Sequence, residues 1–523
     1  MGRYSGTLTV ALCKDRSCNS QLSGSPLQVP YQVSVGPVEA VADLADSKPS
    51  FNVTQNEPTS LALDLTLSAY GASAKCFTLT DPVVGILSSK LSLEAGSAYM
   101  TLRTQPLTVS NPGTFFGTAQ LHLFADAACS NELFGSPIDM PYSLTSWSLS
   151  RTPVPSLPPL GDWETVQGNA AHNAYLAVTL DPSRFMHRWW QMTPGATSLA
   201  TGNGNVFLNH YVDGASVLLA LQEADGAIAW EHNFGFVALG VDPPAASAGR
   251  VYVLSDERTS SYLYGFDARS GQQLFRNDRR DTRISLPAPT VKNGRIFSAG
   301  GTGHEMSASD STTGAITWAS GTRWMTPHWT PAVDDQRAYG FMEGELVAFN
   351  LADGSTAFRM WEANFAGASS SMTPVLAGNG SLLLVDRSDF YSNRLIRYAI
   401  TPTGLTEVWS VAGNYGPQAV QAGDTVYATN NSLPARLEAR SASDGKLLWS
   451  WDAGYDTQSV FVGSPIVTKN LAFVATVSAT YAIDLTTHQT VWSLPRGGQL
   501  AISANQILYV LGPHGELHAI NLF

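Results

Sequence analysis

The sequence predicts an all-β protein in which an eight-bladed β-propeller lies C-terminal to an immunoglobulin (Ig)-like β-sandwich. Two observations predict this fold class: a motif that recurs from residue 217 onward, and an internal repeat near the N-terminus. We therefore expect four regions. They are the truncated end of an Ig-like repeat at 1–36, an Ig-like sandwich at 37–150, a linker at 151–160 and the propeller at 161–523.

The composition excludes some classes of function. Charged residues are 14% of the 523 residues, and the formal net charge is −12 without any run of Lys or Arg. Binding to a phosphate backbone needs a basic patch, so nucleic acid is not expected as a partner. No transmembrane segment is expected either, because no stretch approaches the roughly 18 consecutive apolar residues that a membrane-spanning helix needs.

The N-terminal repeat aligns residues 6–31 with residues 117–142 without gaps, at an offset of 111. Alternating strands broken by Gly, Pro and Asn clusters indicate an Ig-like sandwich of roughly 110 residues. The first copy contains only the closing third of this unit, so we expect the natural polypeptide to be longer. The identical pairs include Asp15 and Asp126, Cys18 and Cys129, Leu22 and Leu133, Gly24 and Gly135, Pro26 and Pro137, and Tyr31 and Tyr142.

All four cysteines lie in the first quarter of the chain. Cys13 aligns with Phe124, whereas Cys76 and Cys129 share the complete domain, so we expect disulfides Cys13–Cys18 and Cys76–Cys129. An even number of cysteines in one small β-rich region indicates an oxidising compartment. The alternative is four buried thiols in a cytosolic protein.

The linker between the two folded regions is rich in proline. RTPVPSLPPL, at residues 151–160, has four prolines in ten residues. Each proline fixes φ and removes a backbone donor, which predicts a stiff, extended connection.

The C-terminal region repeats one pattern: a small residue, a turn-former two positions later, then a glycine, then an aromatic residue four positions after the glycine. The aromatic spacings of 45, 43, 40, 51, 40 and 43 fit one four-stranded blade per repeat. The small residues are Ala220, Gly265, Ala308, Ala348, Ala399, Ala439, Ala482 and Ala519. The glycines are Gly226, Gly271, Gly314, Gly354, Gly404 and Gly445, and His488 replaces the seventh. The aromatics, which we expect to pack blade against blade, are Trp230, Phe275, Trp318, Phe358, Trp409, Trp449 and Trp492.

The eighth repeat breaks off before its outermost strand, at Asn521 to Phe523. We expect His187–Trp190 (HRWW) to supply that strand, because Trp190 stands 40 residues before Trp230. The two ends of the region would then pair with each other and leave no open edge.

The repeats AFNLADGSTAF, GFDARSGQQLF and EARSASDGKLLW resemble those of the pyrroloquinoline-quinone (PQQ)-type propellers. WETVQGNAAHNAY, at residues 163–175, is similar to the segment that leads into such propellers. The resemblance covers about 161–523 and implies the fold, but it says little about chemistry.

Resemblance to the PQQ-type propeller superfamily implies one of two functions. One branch contains alcohol dehydrogenases that hold PQQ and calcium on the propeller axis, near a disulfide between adjacent cysteines. The other contains cofactor-free proteins that bind partners. This sequence has no cysteine after Cys129, and hence neither the adjacent-cysteine disulfide nor a CxxCH haem motif. Both departures favour the binding branch, so no cofactor is expected.

No catalytic or metal-binding residues are expected from the remaining polar motifs. Asp334 and Asp335 are adjacent and indicate a hairpin turn. His514 and His518 lie in GPHGELHAI, where proline and glycine favour a turn over the single helical face of an HExxH zinc site. Asp162 and Glu164, near the linker, are equally weak candidates.

The candidate binding residues lie in two connections between strands. RWMTPHW, at residues 323–329, combines Arg323, Trp324, His328 and Trp329, a composition typical of binding hot spots. The longest repeat adds Arg387 and Tyr391. Core packing is the alternative for each of the aromatic residues.

We therefore expect an exported protein, periplasmic or at the cell surface, in which Ig-like modules form a stalk and the propeller binds a protein or a glycan. The alternative is a quinone-dependent oxidoreductase that uses PQQ and calcium.

Overall fold

A computed structural model describes most of the chain. In the described residues it contains β-strands and one 3-10 helix, Pro182–Arg184, but no α-helix. No described helix is long and apolar enough to cross a membrane. The described residues are 2–11, 25–35, 41–44, 49–68, 75–82, 87, 89–94, 100–133, 135–150, 152–154, 160–212, 214–235, 238–257, 260–279, 287–300, 304–321, 329–342, 344–362, 373–378, 380–387, 393–454 and 460–523.

The chain forms two compact units, Met1–Leu149 and Ser150–Phe523. The strands of the first unit are β1 (Gly2–Val10), β2 (Leu27–Val35), β3 (Val41–Leu44), β4 (Ser50–Thr54), β5 (Ala62–Ser68), β6 (Cys76–Thr80), β7 (Ser89–Glu94), β8 (Met100–Thr104), β9 (Gly113–Phe124) and β10 (Ile138–Trp147). β1 and β2 pair with each other. The other eight form one hydrogen-bonded sheet in the order β3-β5-β8-β7-β6-β9-β10-β4.

That sheet surrounds one hydrophobic core. Val53 on β4, Leu63 on β5 and Leu121 on β9 belong to the same buried cluster, although β4 and β5 lie near opposite ends of the strand order. The sheet must therefore curl so that its ends approach each other. Its hydrogen bonds form one continuous path, and the Ig-like topology stays a prediction.

The N-terminal sequence repeat corresponds to two equivalent hairpins. Gly6 pairs with Tyr31 in β1–β2, and Gly117 pairs with Tyr142 in β9–β10. The tyrosine covers the glycine in both hairpins, and a Cβ on either glycine would lie 2.7 Å from a tyrosine atom. The two copies thus share register and packing, and each requires glycine at that position.

Cys76 and Cys129 form the disulfide expected from the sequence. Cys76 begins β6, which pairs with β9, and Cys129 lies in the turn region that follows β9. Cys13 and Cys18 lie outside the described residues.

The second unit contains eight separate antiparallel sheets in the described residues, one for each predicted row of the repeat. In chain order they are sheet 1, β12 (Leu199–Gly202), β13 (Asn205–Val212), β14 (Ala215–Gln222) and β15 (Ile228–Asn233); sheet 2, β16 (Ala238–Val241), β17 (Ala245–Ser247), β18 (Arg250–Glu257), β19 (Ser260–Asp267) and β20 (Gln273–Asp278); sheet 3, β21 (Thr290–Lys292), β22 (Arg295–Ala299), β23 (Met306–Asp310) and β24 (Ile316–Ser320); sheet 4, β25 (Ala332–Val333), β26 (Arg337–Met342), β27 (Glu345–Asn350) and β28 (Thr356–Trp361); sheet 5, β29 (Val375–Ala377), β30 (Ser381–Arg387), β31 (Asn393–Thr401) and β32 (Gly404–Gly413); sheet 6, β33 (Val420–Ala422), β34 (Thr425–Asn430), β35 (Arg436–Ser441) and β36 (Leu447–Asp452); sheet 7, β37 (Ile466–Val467), β38 (Leu471–Ala475), β39 (Thr480–Asp484) and β40 (Thr490–Leu494); and sheet 8, β41 (Gln499–Ile502), β42 (Ile507–Leu511), β43 (Glu516–Asn521) and β11 (Met186–Met192).

The hydrophobic cores lie between neighbouring sheets. Phe207 of sheet 1 shares a cluster with Phe266 of sheet 2, and Phe297 of sheet 3 shares one with Phe349 of sheet 4. Face-to-face packing of successive sheets is the arrangement of a β-propeller.

The repeated aromatic residue docks each sheet onto the next. The Trp230 ring lies against Gly271 of sheet 2, and its Nε1 donates a hydrogen bond of 3.1 Å to the Ala268 carbonyl oxygen. Trp318 makes the same contacts with Gly354 and with the Leu351 carbonyl oxygen, at 3.0 Å. Each docking glycine has a positive φ, so it supplies both the turn conformation and room for the ring.

β11 completes sheet 8 by pairing with β43, as predicted for His187–Trp190. The assignment of Trp190 to the repeated aromatic position was wrong, because Trp189 and not Trp190 pairs with the small residue Ala519. The Trp189 ring lies against Gly226, and its Nε1 donates to the Glu223 carbonyl oxygen at 2.9 Å.

Candidate functional site

Strand direction gives the propeller two different rims. Strands alternate in direction within each sheet, so the turns between first and second strands and between third and fourth strands lie at one rim. We call this the turn rim. The connections between second and third strands, and those from one sheet to the next, lie at the other rim, which we call the loop rim.

Both segments proposed as binding residues begin at the loop rim. Residues 323–329 follow β24, a fourth strand, and Arg387 is the last residue of β30, a second strand. Arg323, Trp324, His328 and Tyr391 themselves lie outside the described residues. The described strands that precede the two predicted segments therefore end at the same rim.

Trp329 is the one aromatic residue of this set whose side chain is described. It is 2% exposed and packs in the cluster with Phe297 and Phe349. A Cβ at Gly340 would collide with its ring, so Trp329 fills space that only glycine leaves open. At this residue the contacts favour core packing over direct ligand contact.

Charged side chains at the loop rim join neighbouring sheets. Arg359 of sheet 4 bonds Glu305 of sheet 3 at 3.2 Å and Glu345 of its own sheet at 3.1 Å. Both carboxylates are more than nine-tenths buried. One guanidinium thus serves two acids, and the hydrogen bonds to Glu305 raise the pKa of Arg359.

The next pair of sheets is also linked by an arginine, but from a different strand and with different partners. Arg394 on β31 bonds Glu362, which follows β28, and Asp386, near the end of β30, the latter at 2.8 Å. Tyr398 also donates to Glu362. Burial is the main cause that raises the pKa of both Asp386 and Tyr398. Buried charges with specific partners also occur at functional sites, but here they are used to link sheets.

The turn rim is closed by one continuous segment, residues 160–181, which we call the lead-in segment. It precedes all the blades in sequence and contains the WETVQGNAAHNAY motif. It is hydrogen-bonded to every sheet, at the first strand or at a residue that adjoins it. The bonds link Leu160 to Ala504 of sheet 8, Trp163 to Thr201 of sheet 1, Glu164 to Ala246 of sheet 2, Thr165 to Pro289 before sheet 3, Ala170 to Val333 of sheet 4, Ala171 to Leu376 of sheet 5, Asn173 to Gln421 of sheet 6 and Ala174 to Val467 of sheet 7.

A small cavity lies where the lead-in segment meets the first strands. Its volume is about 50 Å³, and its polar lining is formed by Gln167, Ser198, Gln418, Ser464 and Gln499. The Ser464 hydroxyl donates to Gln418 Oε1 at 2.6 Å. None of the described lining residues is charged.

This cavity does not fit PQQ as the described residues form it. Pockets for small molecules and cofactors have roughly 300–1,000 Å³, several times the volume available here. PQQ carries three carboxylates, and the described lining offers no cation to pair with them. Within the described residues, no group of three His, Cys, Asp or Glu side chains could hold a metal ion.

The weaker sequence candidates separate in the structure. Asp334 caps the turn between β25 and β26, where its Oδ1 accepts from the Gln336 amide at 2.7 Å, whereas Asp335 is exposed. His514 is exposed in a turn and His518 is buried on β43, so the two do not form a site. Asp162 and Glu164 belong to the lead-in segment.

The family described as outer membrane protein assembly factor BamB matches residues 213–449 and 392–522. This is more than half of the chain. The chain belongs to this family.

Solved structures extend the likeness of this BamB-family chain. The quinohemoprotein alcohol dehydrogenase from Comamonas testosteroni matches with a TM-score of 0.52 and 13% identity, over 69% of this chain and 80% of that one. BamB from Moraxella catarrhalis matches with a TM-score of 0.49 and 15% identity, over 64% and 97%. A europium-containing methanol dehydrogenase gives 0.48 and 12%, over 67% and 89%. At these identities the first likeness shows the propeller fold alone. No curated protein matches the chain in sequence.

Proposed function

We propose that this BamB-family chain is an exported, non-catalytic binding or scaffold protein whose propeller presents its loop rim to a protein partner. The N-terminal Ig-like modules act as a stalk. The observation that carries the proposal is the uncharged cavity of about 50 Å³ between the lead-in segment and the first strands, whose described lining does not fit PQQ.

The loop rim is the binding face in this proposal. It bears the variable connections, whereas the turn rim is covered by the lead-in segment. Loops of this kind on a rigid scaffold are where binding residues usually lie. Arg323, Trp324, His328, Arg387 and Tyr391 remain the proposed contacts.

Assembly proteins of the bacterial outer membrane give the family its description, which supports a periplasmic location. The Cys76–Cys129 disulfide supports the same compartment, because such bonds persist where the environment is oxidising. Peptide mapping of native material without reductant tests this. We expect the Cys76–Cys129 peptide pair, and four free thiols in native material would contradict export.

The enzyme alternative is tested by reconstitution with PQQ and calcium, followed by a dye-linked assay of alcohol oxidation. We expect neither saturable PQQ binding nor turnover. Saturable binding accompanied by turnover would overturn the proposal in favour of a quinoprotein oxidoreductase.

The binding face is tested with the double variant Arg323→Ala, Trp324→Ala and with Trp329→Ala as the matched control. We expect the double variant to lose affinity for the protein that co-purifies with the wild type, by about thirtyfold for a 2 kcal/mol hot spot, without loss of stability. Trp329→Ala should instead lower the melting temperature. If a glycan is retained instead of a protein, the partner class is wrong but the rim is right.

A further inference from the structure

A second cavity, of about 780 Å³, opens at the turn rim, away from the proposed partner face. The lead-in segment forms most of its wall, together with Lys469, Gln506 and Leu522. We call it the rim pocket. Its volume lies within the roughly 300–1,000 Å³ typical of small-molecule sites.

The walls of the rim pocket are largely apolar. Trp163, Tyr175, Leu176 and Val178 all line it. Aromatic and aliphatic walls bury the apolar body of a ligand, so the polar groups that line the pocket decide which ligand it selects.

The field at one side of the pocket is negative. Asp162 lines the pocket, and Glu164 and Glu223 are close enough for its charge to raise their pKa further, beyond the larger effect of burial. Ser247 donates to Glu164 at 2.9 Å, and Asn505 donates to Glu223 at 2.6 Å.

Asp162 itself has no hydrogen-bond or ion-pair partner among the described residues. The residue is exposed to solvent, but its carboxyl is partly buried, and this partial burial raises its pKa. Two cationic residues, Arg184 and Lys469, also line the pocket, and neither forms an ion pair with Asp162 among the described residues. Arg184 instead acts on Asp181.

Gln167 gives a second, independent indication of a ligand. It lies between the small cavity and the rim pocket and is 8% exposed, yet its Oε1 is buried without a hydrogen-bond partner in the described part of the chain. Buried acceptors are nearly always paired in proteins. The amide oxygen needs a hydrogen-bond donor, and the Asp162 carboxylate would accept from the same donor group.

We propose that the rim pocket binds a cationic amine or guanidinium group carried on an apolar body. The group would donate to Asp162 and Gln167, while the body packs against Trp163 and Tyr175. Such a cation comes either from a free organic amine or from an Arg or Lys side chain of a peptide. The site is on the rim opposite the proposed partner face and does not depend on that function.

Calorimetric titration of the full chain at low ionic strength tests the proposal with two pairs of probes. Phenethylamine is compared with neutral 2-phenylethanol, and acetyl-Leu-Arg-amide with its neutral citrulline analogue. We expect saturable binding of at least one cation, about tenfold or more tighter than its neutral analogue, as for a charge-assisted hydrogen bond. Which cation binds more tightly identifies the source of the group.

Asp162→Asn should lower the affinity for the cation about tenfold and leave the neutral analogue unaffected. Glu231→Gln, which removes an exposed charge on the outer strand of sheet 1, is the matched control and should change neither. Asp162 makes no described contact that supports the fold, so both variants should melt like the wild type. Equal affinity for charged and neutral probes, insensitivity to Asp162→Asn, or no saturable binding of either cation at millimolar concentration would overturn the proposal.

Discussion

The turn rim and the loop rim are ends of the same strands, yet different interactions hold them together. At the turn rim, rings dock on glycines and backbone groups bond the lead-in segment. At the loop rim, buried charged side chains such as Arg359 and Arg394 link neighbouring sheets. Backbone and ring contacts repeat along the sequence, whereas the charged contacts differ from sheet to sheet. Repetition therefore marks the rim that maintains the ring, and variation marks the rim that is free to specialise.

The largest effect is expected at the turn rim, where β11 closes sheet 8. Trp189→Ala should lower the free energy of unfolding by about 3–5 kcal/mol, because the ring is 2% exposed and its removal leaves a cavity. Chemical denaturation measures this. Met192→Ala, on the same strand but 47% exposed, should change stability by only about 0.5 kcal/mol. Equal losses in the two variants would mean that docking of the ring is unimportant.

At the loop rim, Arg394→Met should cost about 3 kcal/mol at neutral pH, since it leaves Glu362 and Asp386 buried without their cation. The loss should shrink as the pH is lowered, because protonation removes the uncompensated charges. Arg269→Met, in an exposed turn of sheet 2, is the control. A loss that does not vary with pH would show that packing rather than charge holds this rim.

Between the rims, the closing sheet contains a buried histidine pair, His187 Nε2 and His518 Nδ1, 3.0 Å apart. Burial lowers the pKa of His187 to about 3, and burial, His187 and Arg496 lower the pKa of His518. Arg496 is itself near Glu516. In the unfolded chain the histidine pKa is about 6.5, so as the pH falls the unfolded chain takes up protons before the folded chain does. The free energy of unfolding is therefore highest above that pH and decreases as the pH falls toward the pKa of the folded state.

Because of His187 alone, we expect the free energy of unfolding to be about 2 kcal/mol lower at pH 5 than at neutral pH. Unfolding midpoints measured from pH 7 to pH 5 test this. His187→Gln should flatten the decline, and exposed His514→Gln should not. If His187→Gln has the same pH dependence as the wild type, the pair does not titrate on unfolding.

The smallest effect separates ring docking from backbone strain. Gly226 and Gly204 have nearly the same positive φ, 75° and 74°, but a Cβ on Gly226 would lie 2.7 Å from Trp189, whereas Gly204 has nothing within 4 Å. Both Gly→Ala variants should lose about 1 kcal/mol from the left-handed backbone, and Gly226→Ala roughly 1 kcal/mol more. Equal decreases of the melting temperature in the two variants would mean that the ring contact does not contribute to stability.

The repeats made the propeller predictable from sequence, because spacing and residue type directly encode turn and docking positions. The same reasoning failed where the spacing of the repeat changes. The spacing from Trp230 selected Trp190, although the preceding Trp189 pairs with the small residue Ala519, and in sheet 5 Trp409 pairs with Arg397 instead of the small residue Ala399. A one-residue shift leaves no signature in composition.

The rim pocket could not be predicted, because its walls meet only through long-range contacts. The sequence placed Asp162 and Glu164 among weak catalytic candidates, since nothing nearby showed that Asp162 shares a pocket with Gln506 and Leu522. The similarity of WETVQGNAAHNAY to a lead-in segment was the available signal. It identified the segment without indicating its hydrogen bonds to every sheet.

The lead-in segment also determines the order in which contacts can form during synthesis. It emerges from the ribosome before any blade, yet Leu160 bonds Ala504, and His187 on β11 reaches a partner 331 residues later. Neither contact exists until the last sheet is made. Until then β11 has an unpaired edge, and Trp189 lacks its packing partners on sheet 8. Such exposed surface favours mispairing with other strands. The synthesis of sheet 8 therefore decides when the whole ring can close, a delay that a simple stack of repeats does not impose.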